Sequence, residues 1–102
     1  MRILPAPIAF HWDQGNLHKN LKKHKVTVQE AEEMFAGEPL TVAEDHRHST
    51  VQEKRFQALG KTKSNRQLFA AFAIRDKKIR IISVRDMSRK EKDAYERLKE
   101  NT

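Results

Sequence analysis

Arginines are concentrated in the last third of the chain, where an apolar stretch runs into a charged one. The stretch IRIISVRDMSRKEKDAYE covers residues 79–96, and its cationic side chains include Arg80, Arg85, Arg89 and Lys90. A strand that only fills a core has no need for so many guanidinium groups. Their number therefore indicates a surface that binds an anionic ligand, such as a backbone of phosphates.

A second basic group lies near the N-terminus, in the stretch HKNLKKHK at residues 18–25. His24 stands out there, because a histidine near its reference pKa can act as a general acid or base. It also ends a predicted helix, whose dipole favours the protonated form. The alternative is structural: a basic run is often a solvated helix face, and His24 shares a face with Leu17 and Leu21, where it can be packed or hydrogen-bonded.

The charge balance points the same way as these two groups. The chain has 102 residues, with 21 Lys and Arg against 14 Asp and Glu, a formal charge of +7 and a pI of about 9.9. Such an excess favours nucleic acid, an anionic membrane or an acidic protein as a partner. The N-terminal apolar run is too short to span a membrane, so we expect a cytoplasmic protein with no membrane association.

Metal and cofactor chemistry have little support in the sequence. His46 and His48 lie two residues apart and can face the same way on a strand, but no third ligand is placed by spacing. The absence of cysteine excludes a disulfide framework and Cys-ligated metals. With three glycines there is no P-loop and no dinucleotide fingerprint. The sequence therefore predicts neither a metal nor a cofactor.

Periodicity and capping signals predict one α+β domain over residues 1–102, with residues 1–7 as a loose extension. Helices are expected from Asp13 to His24, after the capping box of Thr27 and Glu30, and after Ser88 to Glu100. Strands are expected at residues 8–12, 40–46, 54–62, 66–76 and 78–86. The order is β-α-α-β-β-β-β-α, and the short links between strands predict an antiparallel sheet.

Strand alternation also makes a prediction about the arginines. Because residues two apart share a face, Arg85 is expected on one side of the last strand with Ser83, and Arg80 on the other. On this reasoning the arginines do not all contact one ligand, and some of them pair with acids such as Asp76 or Asp86.

The order of motifs resembles the BrnT family of bacterial toxins from Phe10 to Glu96. The chain reads WDxGNxxKNxxKHKV, QEAEEMF, EDxxHSxxxEKRFxALGKT, RxLFxxFxIR and RIISVRDMSRKE, followed by YE. Two departures are visible: Lys25 stands where many relatives have Gly, and Val84 where many have Ala. The first of these can shift the turn between the two predicted N-terminal helices.

The resemblance implies a RelE-like fold and a ribonuclease toxin of a type II toxin–antitoxin pair, which inhibits translation by cutting RNA. It also implies a BrnA-type ribbon-helix-helix antitoxin that neutralises the toxin in a hetero-oligomer, with a 2:2 assembly as one option. Contact with operator DNA would occur only through that antitoxin.

RNA carries its own nucleophile, the 2′-OH, so a ribonuclease of this kind needs acid–base and electrostatic groups rather than a metal. The predicted catalytic residues are His24, Lys23 and Arg85. The predicted RNA-binding residues are Arg66, Arg75, Arg80, Arg89, Lys90 and Lys19. Two alternatives remain open: a basic nucleic-acid-binding module without catalysis, and a basic interaction protein that binds an acidic polypeptide.

Overall fold

The computed structural model describes residues 4–15 and 22–100, which form a five-stranded sheet with helices packed against it. The strands are ordered β1-β5-β4-β3-β2 across the sheet. Their bounds are β1 Phe10–His11, β2 Thr41–Glu44, β3 Arg55–Lys61, β4 Gln67–Arg75 and β5 Lys78–Asp86. Two helices are described over their full length, α1 Val28–Ala36 and α2 Arg89–Glu100. Residues 14–15 and 22–24 are also helical.

Strands β2 to β5 form an antiparallel meander, as their short links predict. The β4–β5 link is a two-residue turn in which Asp76 and Lys77 have φ angles of 53° and 61°. Positive φ at both central positions is the geometry that matches the twist of a tight hairpin. The turn therefore fixes the register of the two strands that carry Arg75, Arg80 and Arg85.

The prediction of a wholly antiparallel sheet is wrong at one edge. Strand β1 pairs with β5 in parallel, with Phe10 opposite Ile79 and His11 opposite Arg80, so the sheet is mixed. Short links constrain only consecutive strands, and residues 12–40, which include α1, separate β1 from β2. A connection of that length leaves the direction of β1 free, and parallel pairing becomes possible.

Both predicted capping boxes are confirmed, whereas much of the first predicted helix cannot be compared. In α1 the Glu30 amide donates to Thr27 Oγ1 (3.1 Å) and the Thr27 amide donates to Glu30 Oε1 (3.0 Å). In α2 the Ser88 amide donates to Glu91 Oε1 (2.8 Å). The helix predicted from Asp13 to His24 includes residues 16–21, which lie outside the described part of the chain.

The hydrophobic core lies between α1 and one face of the sheet. Phe35 of α1 meets Phe72 of β4 edge to face at 5.2 Å, and Phe72 stacks on Phe56 of β3 at 5.5 Å. Gly60 lets β3 approach α1, because a Cβ atom there would lie 2.6 Å from the Met34 carbonyl oxygen. Burial of these aromatic side chains removes a large apolar area from water and is the main source of stability.

Within the described residues, α2 covers part of the opposite face of the sheet. Tyr95 of α2 is buried, and its hydroxyl donates to the Pro39 carbonyl (2.6 Å). A cavity of about 360 Å³ lies where α2 meets this face, beside Leu59 and Phe69. We call this side of the sheet the arginine face, since four arginines lie on it: Arg55, Arg75, Arg80 and Arg85.

Candidate nucleic-acid interface

A β-bulge in the β4–β5 hairpin determines which way the arginines of β5 point. Ala71 lies opposite Ser83, whereas its neighbour Phe72 lies opposite Ile81. Ile82 is therefore an extra residue with no partner of its own in the register. A bulge of this kind shifts the alternation of side chains by one position along the bulged strand.

The bulge places Arg80 and Arg85 on the same face, so the predicted separation of these two arginines is wrong. Arg80 pairs with Ala73 and Arg85 pairs with Phe69, and both partners share the odd-numbered side of β4. Plain alternation over five residues would have put the two arginines on opposite sides. The extra residue, Ile82, brings Arg80 and Arg85 back to the same side of the sheet. The sequence pattern does not reveal this extra residue.

Three strands contribute arginines to a single groove on this face. Arg55 of β3 lies opposite Ala73 of β4, which in turn lies opposite Arg80 of β5. Arg75 follows two residues after Ala73 and so shares its side. Ala73 is fully buried and lies between Arg55 and Arg80 in the strand register.

The groove has a volume of about 380 Å³ and contains two carboxylates as well as the three guanidinium groups. Arg55 Nε donates to Glu53 Oε1 (2.9 Å), and Arg75 Nη2 donates to the other oxygen of Glu53. Arg80 Nη1 donates to Asp13 Oδ2 (2.6 Å). The hydrogen bond from Arg75 holds the pKa of Glu53 below its ordinary value, so Glu53 is ionised at neutral pH. We call the set of Asp13, Glu53, Arg55, Arg75 and Arg80 the arginine groove.

Arg85 lies at the far end of the same face, at the junction of β5 and α2. Its guanidinium stacks over the Phe69 ring at 4.1 Å and makes a two-point pair with Glu91, at 2.8 and 3.1 Å. Burial raises the pKa of Glu91, but the hydrogen bonds from Arg85 and the Ser88 amide outweigh it, and the net shift is downward. Glu91 is thus an ionised cap and counter-ion.

Arg66 is held in a different kind of site, on the other side of the sheet end. Its Nε and Nη2 donate to the two oxygens of Asp86, at 2.8 and 3.1 Å. Its Nη1 donates to Glu30 and to the Lys25 carbonyl, and its Nη2 also donates to the His24 carbonyl (3.2 Å). We call these five residues the Arg66 cluster: His24, Lys25, Glu30, Arg66 and Asp86.

Electrostatics within the Arg66 cluster favour its charged forms. The hydrogen bond to Asp86 is the largest influence that raises the pKa of Arg66. Conversely, the hydrogen bond from Arg66 is the largest influence that lowers the pKa of Asp86, and the positive charge of Lys92 adds a smaller contribution.

The turn after His24 contains a residue in a backbone conformation that usually favours glycine. Lys25 has a φ of 58°, the left-handed conformation that glycine adopts most readily at the end of a helix. The turn therefore has the geometry that suits a glycine at position 25. Arg66 caps the carbonyls on both sides of the Lys25 amide, which offsets the strain of a side chain in this conformation.

The predicted catalytic residues do not form one constellation. Arg85 lies on the arginine face, opposite Phe69. Asp86 lies on the other side of the sheet, opposite Leu68. The Arg66 cluster on that side holds the backbone turn after His24. Lys23 is exposed and helical. Arg85 and Asp86 are nevertheless consecutive, so both groups of side chains meet at the carboxyl end of β5.

The remaining predicted residues are distributed as follows. Arg75 and Arg80 lie together in the arginine groove, whereas Arg89 and Lys90 are exposed in the first turn of α2. Lys19 lies outside the described residues. Arg55 was not predicted as a binding residue; it belongs to a motif, but only the strand register reveals its position beside the other two arginines.

The histidines near β2 pair with neighbouring acids. His46 Nδ1 lies 3.2 Å from Glu44 and His48 Nδ1 lies 2.8 Å from Asp45. Within residues 4–15 and 22–100, no three or more His, Cys, Asp or Glu side chains come together as a metal site would require. The same part of the chain contains no helix that is long and apolar enough to cross a membrane.

Comparison with known proteins identifies the family. A family model described as the ribonuclease toxin BrnT of type II toxin–antitoxin systems matches residues 12–91. That range includes the arginine groove, Arg85 with Glu91, and the Arg66 cluster. The comparison with curated proteins gives no match. Because the family model covers most of the sequence, the chain belongs to the BrnT family of type II ribonuclease toxins.

Proposed function

We propose that this BrnT toxin is a metal-independent endoribonuclease that inhibits translation and growth, with its substrate on the arginine face. The observation that carries the proposal is the alignment of four arginines from three strands on one side of the sheet. Sequence-independent affinity for RNA comes from contacts between such cations and phosphates. The family membership supports the activity, and the geometry supports the location.

The chemistry assigned to this face follows from the substrate. The 2′-oxygen of one ribose attacks the adjacent phosphorus and loses its proton, while the bond to the 5′-oxygen breaks and that oxygen takes up a proton. Negative charge accumulates on the phosphorane between these events. A planar guanidinium stabilises that charge through two parallel N–H groups, and we assign this role to Arg85.

The proton transfers remain assigned to His24 and Lys23 as predictions. For either side chain to act with Arg85, the RNA must pass around the carboxyl end of β5, where residues 85 and 86 direct their side chains to opposite faces. The short spacing of consecutive residues, about 3.8 Å between Cα atoms, makes one strand end accessible to both groups.

The partner of a type II toxin is a protein antitoxin, and we propose the BrnA type, with a ribbon-helix-helix domain. A 2:2 hetero-oligomer with operator DNA bound only by the antitoxin fits this partner. We further propose a cytoplasmic location and a fold of the RelE-like class, which the α+β architecture with a five-stranded mixed sheet supports.

The test is cleavage of RNA by purified protein in the presence of EDTA. We expect cleavage to continue at an undiminished rate, because arginine and lysine provide the electrostatic stabilisation. Loss of cleavage on chelation, with recovery on addition of a divalent ion, would contradict the metal-free mechanism. Induced expression with and without a BrnA-type antitoxin, scored by growth and RNA integrity, tests the biological role.

The separation of His24 from Arg85 favours one alternative, a basic RNA-binding module without catalysis. Under this alternative the arginine face binds RNA and does not cut it. The two functions are distinguished by incubating the protein with labelled RNA under conditions in which binding is saturated. Intact RNA in a saturated complex would favour the binding module.

A further inference from the structure

The arginine groove and Arg85 lie at different positions along β5, and carboxylates hold their guanidinium groups apart, since Arg80 is bound by Asp13 and Arg85 by Glu91. Arg80 and Arg85 are five residues apart on β5, which corresponds to roughly 13–16 Å along the strand once the bulge is considered. Arg75 lies beyond Arg80, next to the hairpin turn. A phosphate in the groove is therefore a different phosphate from the one whose ester bond breaks near Arg85.

The guanidinium groups of the groove keep most of their donors available. Each of Arg55, Arg75 and Arg80 makes one side-chain hydrogen bond to a carboxylate among the described residues. A guanidinium has five N–H groups, so most donors on each arginine have no partner in the described part of the chain. Their side chains are between 29% and 50% exposed, which leaves them accessible to a ligand.

The two carboxylates hold the groove in shape without cancelling its charge. Glu53 uses one oxygen for Arg55 and the other for Arg75, so it fixes two guanidinium groups relative to each other. Asp13, which follows β1, holds the guanidinium of Arg80 through one hydrogen bond. Three cations against two anions leave a positive site, whose side chains lose little freedom when a ligand binds.

We propose that the arginine groove is an anchoring subsite for a phosphodiester of the RNA strand, remote from the bond that is cut. This inference rests on the proposed function, in which RNA is the substrate. The groove contributes uniform binding, which is equal in the ground state and the transition state. Removal of such binding raises KM and leaves kcat unchanged, in contrast to the loss of Arg85.

The first experiment measures binding to a single-stranded 2′-O-methyl RNA, which has no free 2′-hydroxyl and cannot be cleaved by this chemistry. The variants are Arg55→Ala with Arg75→Ala, the charge-preserving Arg75→Lys, and the matched control Arg97→Ala on the exposed side of α2. We expect the double variant to weaken binding by about tenfold at low salt. The negative slope of log affinity against log salt should become shallower by about 0.7 for one lost phosphate contact.

The charge-preserving and control variants make the result specific to the groove. Arg75→Lys should keep the salt slope and lose about threefold in affinity, because lysine retains the charge but not the planar fork. Arg97→Ala should change affinity by less than about twofold, since an exposed cation outside the groove is screened. An unchanged affinity and slope in the double variant would overturn the proposal. So would an equal loss in the control.

The second experiment separates this inference from the proposed function. If the wild-type protein cleaves RNA and the double variant raises KM with an unchanged kcat, both stand. If the protein binds RNA through the groove and cleaves none, the ribonuclease proposal fails and the subsite stands. If cleavage occurs and kcat falls together with kcat/KM, the groove acts on the transition state and the anchoring role is wrong. Thermal melting of the double variant and of Arg75→Lys shows whether each of them is folded.

Discussion

The arginine groove and the Arg66 cluster contain the same kinds of side chain in opposite arrangements. In the groove three guanidinium groups share two carboxylates, whereas in the cluster one guanidinium is bound by two carboxylates and two backbone carbonyls. All three nitrogen atoms of Arg66 donate to the protein itself. Arg75 is 50% exposed, whereas Arg66 is 26% exposed.

The comparison shows that the role of an arginine depends on how many of its donors the protein already uses. A guanidinium whose donors are satisfied internally stabilises the fold and gains little from a phosphate. A guanidinium whose N–H donors are mostly unused by the protein can exchange bound water for a phosphate. The predicted RNA contact of Arg66 stays a prediction, and its geometry indicates that it positions the His24 turn instead.

The largest effect is expected at Arg85, which is intermediate between the two arrangements. Loss of a group that stabilises developing charge typically costs about 10²- to 10³-fold in rate, and Arg85→Ala should reduce kcat by that factor. Arg85→Lys should recover little of it. Stability should fall by only about 1 kcal/mol, because the pair with Glu91 is partly exposed to solvent.

Steady-state kinetics on folded protein checks this expectation, with thermal melting as the measure of folding and Arg97→Ala as the control. If Arg85→Ala is unfolded, Arg85 is a structural partner of Glu91 and Phe69, and the assignment to the transition state is wrong.

The next largest effect is expected on stability, at the Arg66 cluster. Arg66→Ala removes the guanidinium that donates to Asp86, to two backbone carbonyls and, beside the Thr27 amide, to Glu30. Hydrogen bonds to charged groups contribute about 1.5–3 kcal/mol. We expect a loss of about 2 kcal/mol in the free energy of unfolding, measured by urea denaturation. Arg75→Ala, in the groove, should cost less than about 1 kcal/mol. Equal losses in the two variants would remove the distinction between the two regions.

The stability of the Arg66 cluster should also depend on pH. The hydrogen bond from Arg66 lowers the pKa of Asp86 below its ordinary value of about 4. A depressed pKa contributes stability that is fully present above the unfolded value and is lost as the pH falls through the folded value. The difference in melting temperature between wild type and Arg66→Ala should therefore be largest near pH 6 and shrink toward pH 3. A constant difference over this range would contradict the role of the ion pair.

Several elements could be read from the sequence because local chemistry determines them. The capping boxes at Thr27 and Ser88 depend on residues three apart, and the β4–β5 turn depends on a short polar link. Arg75 and Arg80 were both predicted to bind RNA, and they lie in one groove. Their contact with RNA stays a prediction.

The parts that sequence reasoning missed depend on long-range pairing. The bulge at Ile82 reverses the direction of Arg80 relative to Arg85, and no local signal marks an extra residue in an apolar strand. The parallel pairing of β1 depends on the path of a long connection. Arg55 joins the groove only through the register of β3 with β4, so its role becomes visible only once the sheet is assembled.

A smaller effect is expected from the exposed cations of α2. Arg89 and Lys90 lie in the first turn, where the helix dipole disfavours positive charge by a few tenths of a kcal/mol. The double variant Arg89→Ala with Lys90→Ala should stay toxic and melt at a slightly higher temperature. Growth assays and thermal melting check both outcomes, and loss of toxicity would place the substrate on α2 rather than on the sheet.

The smallest effect is expected at Lys25, whose left-handed backbone suits glycine. Lys25→Gly should stabilise the protein by roughly 0.5 kcal/mol, the net of relieved backbone strain and the greater unfolded-state entropy of glycine. Lys23→Gly, within helical residues 22–24, is the matched control and should cost about 1 kcal/mol. Destabilisation by Lys25→Gly, measured by urea denaturation, would contradict the turn geometry described here.

The most direct test of the central claim is to observe the arginine side chains while RNA binds. The Nε–H signals of isotope-labelled protein can be followed by NMR during titration with the non-cleavable 2′-O-methyl RNA, and assigned with single Arg→Lys variants. The account predicts that the signals of Arg55, Arg75, Arg80 and Arg85 shift with a common affinity, and that the Arg66 signal stays in place. A shift of Arg66 with unchanged signals on the arginine face would contradict it.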